Sequence, residues 1–186
     1  QHKATLRSAY PPKAFSVKST KNNIEFNIQI KEFDLAKCTK LFHSKPEKDS
    51  EYIFRRYIKH PVYEYKLLFF KNSDDILSIA VYRIVNINDL IVARIVDIIG
   101  SNILKDEFNY PLTQFLKKEN IDYIDLVSNI ECSKNSGFIE SDATLILPNY
   151  LEPLEMRNVD IDYAYKSNSG SLSIFRGDSD QDRPNV

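Results

Sequence analysis

The chain has 186 residues, of which 42% are hydrophobic and 27% charged, and its net charge is −1. That length suits one domain with a sizeable core. The near-zero charge gives no electrostatic ground for binding nucleic acid or an anionic membrane, and no apolar run reaches the ~18 residues of a membrane span. Cys38 and Cys132 lie far apart, form no CxxC and cannot make a zinc site alone. Both are expected as free thiols in a reducing, cytoplasmic compartment. No charged-then-apolar secretory signal opens the chain. It opens with Gln1 rather than methionine, and we expect a piece of a longer protein.

Residues 1–23 are polar, carry Pro11-Pro12 and show no sustained period, so they read as a linker or edge segment. Over 24–30, Ile24, Phe26, Ile28 and Ile30 alternate with Glu25, Asn27 and Gln29, the pattern of a half-buried strand. Asp34 can cap a helix carrying Leu35, Cys38, Leu41 and Phe42, which Ser44-Lys45-Pro46 breaks. Asp49 or Ser50 caps a second helix over 51–60, with Ile53, Phe54 and Tyr57 facing inward. His60-Pro61 ends it, because the residue before proline avoids helical angles. A strand over 63–71 and a turn over 72–75 follow.

The stretch 76–100 is the centre of the pattern. It holds two apolar, β-branched runs separated by Asn86-Ile87-Asn88-Asp89, which reads as a hairpin of central strands covered on both sides. A turn centred on Asn88-Asp89 sets Arg83 opposite Arg94. Like charges facing each other on a ladder cost tenths to about 1 kcal/mol even when exposed. In a buried ladder they require acids or a bound anion between them. Arg83, Arg94 and Asp97 therefore read either as an internal ion network or as a pocket for an anionic sugar or phosphate. After Asp97, the residues Ile98, Ile99, Gly100, Ser101 and Asn102 are expected to turn from strand to helix, where free amides can hold phosphate.

An apolar stripe then runs through Ile103, Leu104, Phe108, Leu112, Phe115 and Leu116. Pro111 would cost about 3 kcal/mol in a helix interior, so the helix is placed over 110–119, after a bend at Asn109-Tyr110. A strand over 121–127 and a short helical turn over 130–135, closed by Gly137 and anchored by Phe138, come next. Further strands are expected over 143–147, 159–166 and 172–175. This order is α+β with a mixed central sheet.

The segments YIFRRYIKHPVYEY, ARIVDIIG, SGFI, LILPNYLEP and FRGDSDQDRPN, in this order of elements, resemble the GNAT acyltransferase superfamily. They are most similar to the C-terminal half of tandem GNAT-like proteins from bacterial surface-polysaccharide gene clusters. The resemblance implies a GNAT-like domain over 24–176, with a mixed sheet of about six to seven strands flanked by helices on both faces. Residues 177–186 would form a polar tail, and an N-terminal GNAT-like half would be the partner. It implies acetyl-CoA or another acyl-CoA, with its pyrophosphate on the amides of Ile98, Ile99, Gly100, Ser101 and Asn102. It also implies an acceptor loop containing Asn149, Tyr150 and Glu152. There Tyr150 would be the acid, Glu152 the base and Asp97 the group that orients them. Arg56, on a basic helix face with Arg55, Lys59 and His60, would border the acceptor. The implied activity is acyl transfer to an amino sugar in envelope polysaccharide synthesis. The family turn carries two small residues. Here only Gly100 is small and Asn102 stands in the second place, so a diphosphate could not approach the backbone as closely. A second reading follows: a non-catalytic half that binds a glycan or nucleotide-sugar, or supports a catalytic N-terminal half.

The tail alternates Asp178, Asp180 and Asp182 in the manner of a calcium loop. Arg183 stands where such a loop needs glycine, and no metal is expected. The tail reads either as solvated or as folded back, with Asp180, Asp182 and Arg183 lining a polar cleft. No GxSxG, HExxH or P-loop occurs.

Overall fold

A computed structural model describes residues 2–4, 7–10, 22–29, 41, 47–87, 89–140, 161–163, 166, 172–179 and 182. Its strands are β1 (His2–Ala4), β2 (Arg7–Tyr10), β3 (Ile24–Gln29), β4 (Lys66–Asn72), β5 (Asp75–Ile87), β6 (Leu90–Gly100), β7 (Tyr123–Val127), β8 (Ile139–Glu140) and β9 (Ile161–Tyr163). Helix α1 (Ser50–Ile53) runs on as a π-helical turn over Phe54–Ile58, and α2 (Asn109–Glu119) follows a 3-10 turn over Asp106–Phe108. A last 3-10 turn covers Arg176–Asp178.

The class is α+β with a mixed sheet, as the sequence suggests. Strands β3, β4, β5 and β6 pair antiparallel in that order, and β7 lies parallel to β6. This five-strand body continues past β7 with β2 and then β8, while β1 pairs with β9 in a separate two-stranded sheet. The central hairpin has the expected register, with Arg83 directly opposite Arg94. Further along, Tyr82 faces Ile95 and Val81 faces Asp97, so Val96 is an extra residue. Such a bulge bends its strand and sharpens the local twist. The parallel ladder between β6 and β7 reaches only Ile95 and Leu126, and β6 continues beyond it to Gly100.

Alternation along β4 and β5 sorts the core into two clusters. One gathers Leu68, Phe70, Ala80, Tyr82, Ala93 and Ile95 with Leu112, Phe115 and Leu116 of α2. The other gathers Leu67, Phe69, Ile79, Val81, Val96 and Ile99 with Ile53 and Tyr57 from α1 and its π turn. Asp49 caps α1 by accepting the amide N–H of Tyr52 at 2.8 Å. Pro111 sits in the first turn of α2, where a missing N–H loses no helical bond. Asn120 ends that helix with a φ of 54°, in the left-handed region.

Several expectations are corrected. Residues 1–23, read as linker or edge, supply β1 and β2, and β2 lies between β7 and β8. Four residues are too few to show a period, so partner strands rather than pattern define β2. Phe54, expected inward, is 37% exposed. The amide of Lys59 donates to the carbonyl of Phe54, an i to i+5 bond, and this wider turn moves Phe54 off the buried stripe. Residues 130–135 form no helix. Asp106 instead accepts from the hydroxyl of Ser133 and from the backbone and side-chain N–H of Asn135, holding that loop open. The last strand shrinks to one bridge between Phe175 and Ser128. Of the strand expected over 159–166, Ile161–Tyr163 is seen as β9. The helix placed over 35–42, apart from Leu41, and the strand over 143–147 lie outside the described residues.

Phe115 is fully buried and meets Tyr82 and Phe26 edge-on at centroid distances of 5.2 and 6.0 Å. Its replacement, Phe115→Ala, is expected to lower the unfolding free energy by about 3–5 kcal/mol in urea denaturation.

Candidate functional site

The facing arginines are neutralised by acids from two different parts of the chain. Arg94 donates from Nε to Asp125 at 3.0 Å, and the two residues are register partners on the parallel strands β6 and β7. Arg83 donates from Nε at 3.1 Å and from Nη2 at 2.9 Å to one carboxylate oxygen of Asp182, near the chain's end. The guanidinium of Arg83 also lies over the ring of Tyr63, 4.2 Å from its centroid. Asp97, grouped with these arginines from sequence, serves a different cation. It accepts from Lys48 Nζ at 2.5 Å and from the Tyr57 hydroxyl at 2.7 Å. The ladder explains the split: Asp97 faces Val81, whereas Arg94 faces Arg83 and Asp125. Strand alternation places all of these groups on the face that carries Ile53 and Tyr57.

The C-terminal segment closes this charged layer. Asn129 clamps it with a side-chain N–H donated to Leu172 O at 2.7 Å and an oxygen that accepts from the Ile174 amide at 2.8 Å. Phe175 then bridges to Ser128, and the chain turns through Arg176, Gly177 and Asp178. Arg176 is buried, with Nη2 3.6 Å from Asp125. Asp178 reaches Lys48, 2.8 Å away, and also accepts from the Phe175 amide. Arg56 donates to the carbonyls of Gly177 and Ser179 at 2.7 and 3.1 Å. Beyond them Asp182 accepts from the Tyr65 hydroxyl at 2.5 Å as well as from Arg83. A Cβ on Gly177 would lie 2.2 Å from the Tyr57 hydroxyl oxygen and 2.8 Å from the Val96 carbonyl oxygen. The segment therefore rests against the bulge of β6, just past the end of the β6–β7 ladder.

Burial sets the protonation behaviour. It pushes the Asp97 carboxyl up to about 6, with Lys48 opposing that rise and Asp178 adding to it. Burial works against the charge on Lys48, but Asp97 and Asp178 outweigh it and hold the ammonium above its usual range. The Tyr57 and Tyr65 hydroxyls are both pushed up, first by burial and then by the carboxylates they touch. For Asp97 the folded value exceeds the unfolded one. Its contribution to stability is thus complete below the ordinary carboxylate range and is lost as the pH rises through about 6. Lys48 also rises on folding, so its contribution persists until the pH passes the ordinary lysine range.

The sequence-derived site residues fare unequally. Ile98, Ile99 and Gly100 are strand rather than turn, because β5 supplies partners as far as Ser78 opposite Gly100. The Ile98 amide donates to the Asp97 carboxylate and the Ser101 amide to Leu77 O at 2.9 Å, so neither points at open space. Gly100 has a φ of 92°, and a Cβ there would lie 2.7 Å from Leu77 O. Asn102 accepts the Leu104 amide. Arg56 holds the tail rather than an open acceptor site. Asp97 is fully buried and reaches no open surface in this arrangement. Asp182 is buried against Arg83 and Tyr65, while Asn149, Tyr150, Glu152, Asp180 and Arg183 lie outside the described residues.

His60 accepts the amides of Val62 and Tyr63 on Nδ1 at 3.2 and 2.9 Å and stacks on Tyr63. Those acceptor bonds need a neutral Nδ1. Burial, followed by Arg56 and Arg83, lowers its affinity for a proton, against an upward pull from Asp182. Among the described residues no group of three His, Cys, Asp or Glu could hold a metal ion. A separate groove of about 670 Å³ lies between β3 and the start of α2, lined in part by Asn22, Phe26, Tyr110 and Gln114. It shares no lining residue with the charged layer.

Sequence reasoning missed Lys48, Asp125, Gly177 and the hydroxyls of Tyr57 and Tyr65. Asp125 carried a signal, as an acid inside an otherwise apolar strand. Lys48 carried none, since it sits in a polar loop where exposure is the ordinary outcome. No protein-family model and no curated protein matches the sequence.

Two measurements test this geometry. The Asp97 carboxyl carbon, followed by NMR, should titrate with a midpoint near 6 rather than at the model-compound value of 3.8. Gly177→Ala should destabilise the protein by about 1–3 kcal/mol, with faster hydrogen exchange concentrated over 172–179.

Proposed function

We propose that this chain is a GNAT-like module, with helices on both faces of its sheet. It acts as a non-catalytic half that binds a nucleotide-sugar for a catalytic partner half in bacterial envelope polysaccharide synthesis. The family assignment draws its support from the segment resemblances and from the order of elements around a mixed sheet. One observation carries the non-catalytic reading. The Ile98 and Ser101 amides are bonded within the protein. Acyl transfer from acetyl-CoA, with its pyrophosphate held on that segment, would need those amides to be free. Nucleotide-sugar binding draws on the convergence of four cations, Lys48, Arg56, Arg83 and Arg94, on two acids outside the tail, Asp97 and Asp125.

Thermal unfolding with a panel of ligands tests the reading. A ligand at about 100 times its dissociation constant stabilises by about 2.7 kcal/mol. A nucleotide-sugar is expected to raise the midpoint, and acetyl-CoA to support no acyl transfer to an amino sugar. Stabilisation by acetyl-CoA, together with acyl transfer to an amino sugar, would overturn the non-catalytic assignment.

A further inference from the structure

The residues that hold the tail are mostly hydrogen-bond donors. Lys48 Nζ, both guanidinium contacts of Arg56, the Arg83 guanidinium and the Tyr65 hydroxyl all point at it. What they receive is two carboxylates, Asp178 and Asp182, and two backbone carbonyls. Among the described residues from Phe175 to Asp182 the anchoring is polar apart from the Phe175 ring, which is buried in the larger apolar cluster and lies under Lys48 at 4.9 Å. With the tail lifted, Arg176 would leave Asp125 along with Asp178 and Asp182, and the lining would keep the cations Lys48, Arg56, Arg83 and Arg94 and the acids Asp97 and Asp125, an excess of two positive charges (4 − 2). Burying those charges uncompensated is unfavourable. The space thus stays closed over its own acids or opens onto another anion.

We infer that the layer beside β6 is a dianion-binding cleft that the protein's own Asp178 and Asp182 fill in cis, and that a sugar-linked diphosphate enters by displacing them. This rests on the nucleotide-sugar reading above and adds to it the place of binding, the groups that hold the diphosphate and a built-in competitor. Arg83 would pair with one phosphate in a two-point contact, as it now does with Asp182. Lys48 would meet the other as a point charge while keeping Asp97. Tyr65 and Arg56 would supply the remaining donors.

In such a competition, apparent affinity falls with the fraction of molecules whose cleft is open. Weakening the tail should therefore tighten the ligand. Asp178→Asn with Asp182→Asn is expected to bind inorganic pyrophosphate about tenfold more tightly than the parent in calorimetric titration. Hydrogen exchange over 172–179 should quicken with it. Adding Arg83→Gln to that variant should abolish the gain. If the double variant does not fold, Asp182→Asn alone serves, since Arg83 keeps partial access to water. Equal pyrophosphate affinity in parent and variant would overturn the displacement. A tightening unaffected by Arg83→Gln would overturn the placement of the anion. A nucleotide-sugar and the free neutral sugar form separate arms. Pyrophosphate tightening without any nucleotide-sugar binding would leave the cleft standing and sink the functional reading above. Nucleotide-sugar binding without tightening would do the reverse.

Discussion

Two arginines face each other inside a sheet, and much else follows from the need to neutralise them. Arg83 and Arg94 are fixed opposite one another by the β5–β6 register. A buried guanidinium cannot shed its proton, so its charge must be met by an acid. One acid comes from the parallel neighbour as Asp125, and the other from the far end of the chain as Asp182. The first ties β6 to β7. The second draws the tail across the π turn after α1 and the start of β4. A third pair, Lys48 with Asp97, joins the loop before α1 to the same layer.

This layer lies on one face of the sheet, and the other face is almost wholly apolar. The apolar side gains stability from area removed from water and tolerates modest changes of shape. The polar side behaves differently. A buried pair adds little net stability, whereas loss of one partner costs about 3–5 kcal/mol. The charged layer therefore acts more as a specification of which segments meet than as a source of stability. The Val96 bulge gives that layer its shape. It lets β6 run on past β7, and the Arg176–Asp178 turn takes the space beside it.

The same contacts connect fold to function. A tail held by polar anchors can be exchanged for another partner with the same chemistry, while an apolar one would need a partner of the same shape. The His60–Tyr63–Arg83 stack, with His60 neutral, orients Arg83 without adding a positive charge beside it.

The sequence alone determined the α+β class, the central hairpin with its facing arginines, a capped helix start at 49–50 and the helix around Pro111. In each case the cause is local: alternation, turn residues, capping chemistry and the fixed backbone angle of proline act within a few residues. Tertiary structure alone decided which acid serves which cation, that β2 enters the sheet, that 98–100 stays strand, and that the tail closes the layer. Those outcomes depend on strands and loops far apart in the chain, and their local traces were an aspartate at 125 among apolar neighbours and the alternating acids of the tail. Charge balance demands that counter-ions exist. Only the three-dimensional path of the chain determines where they come from.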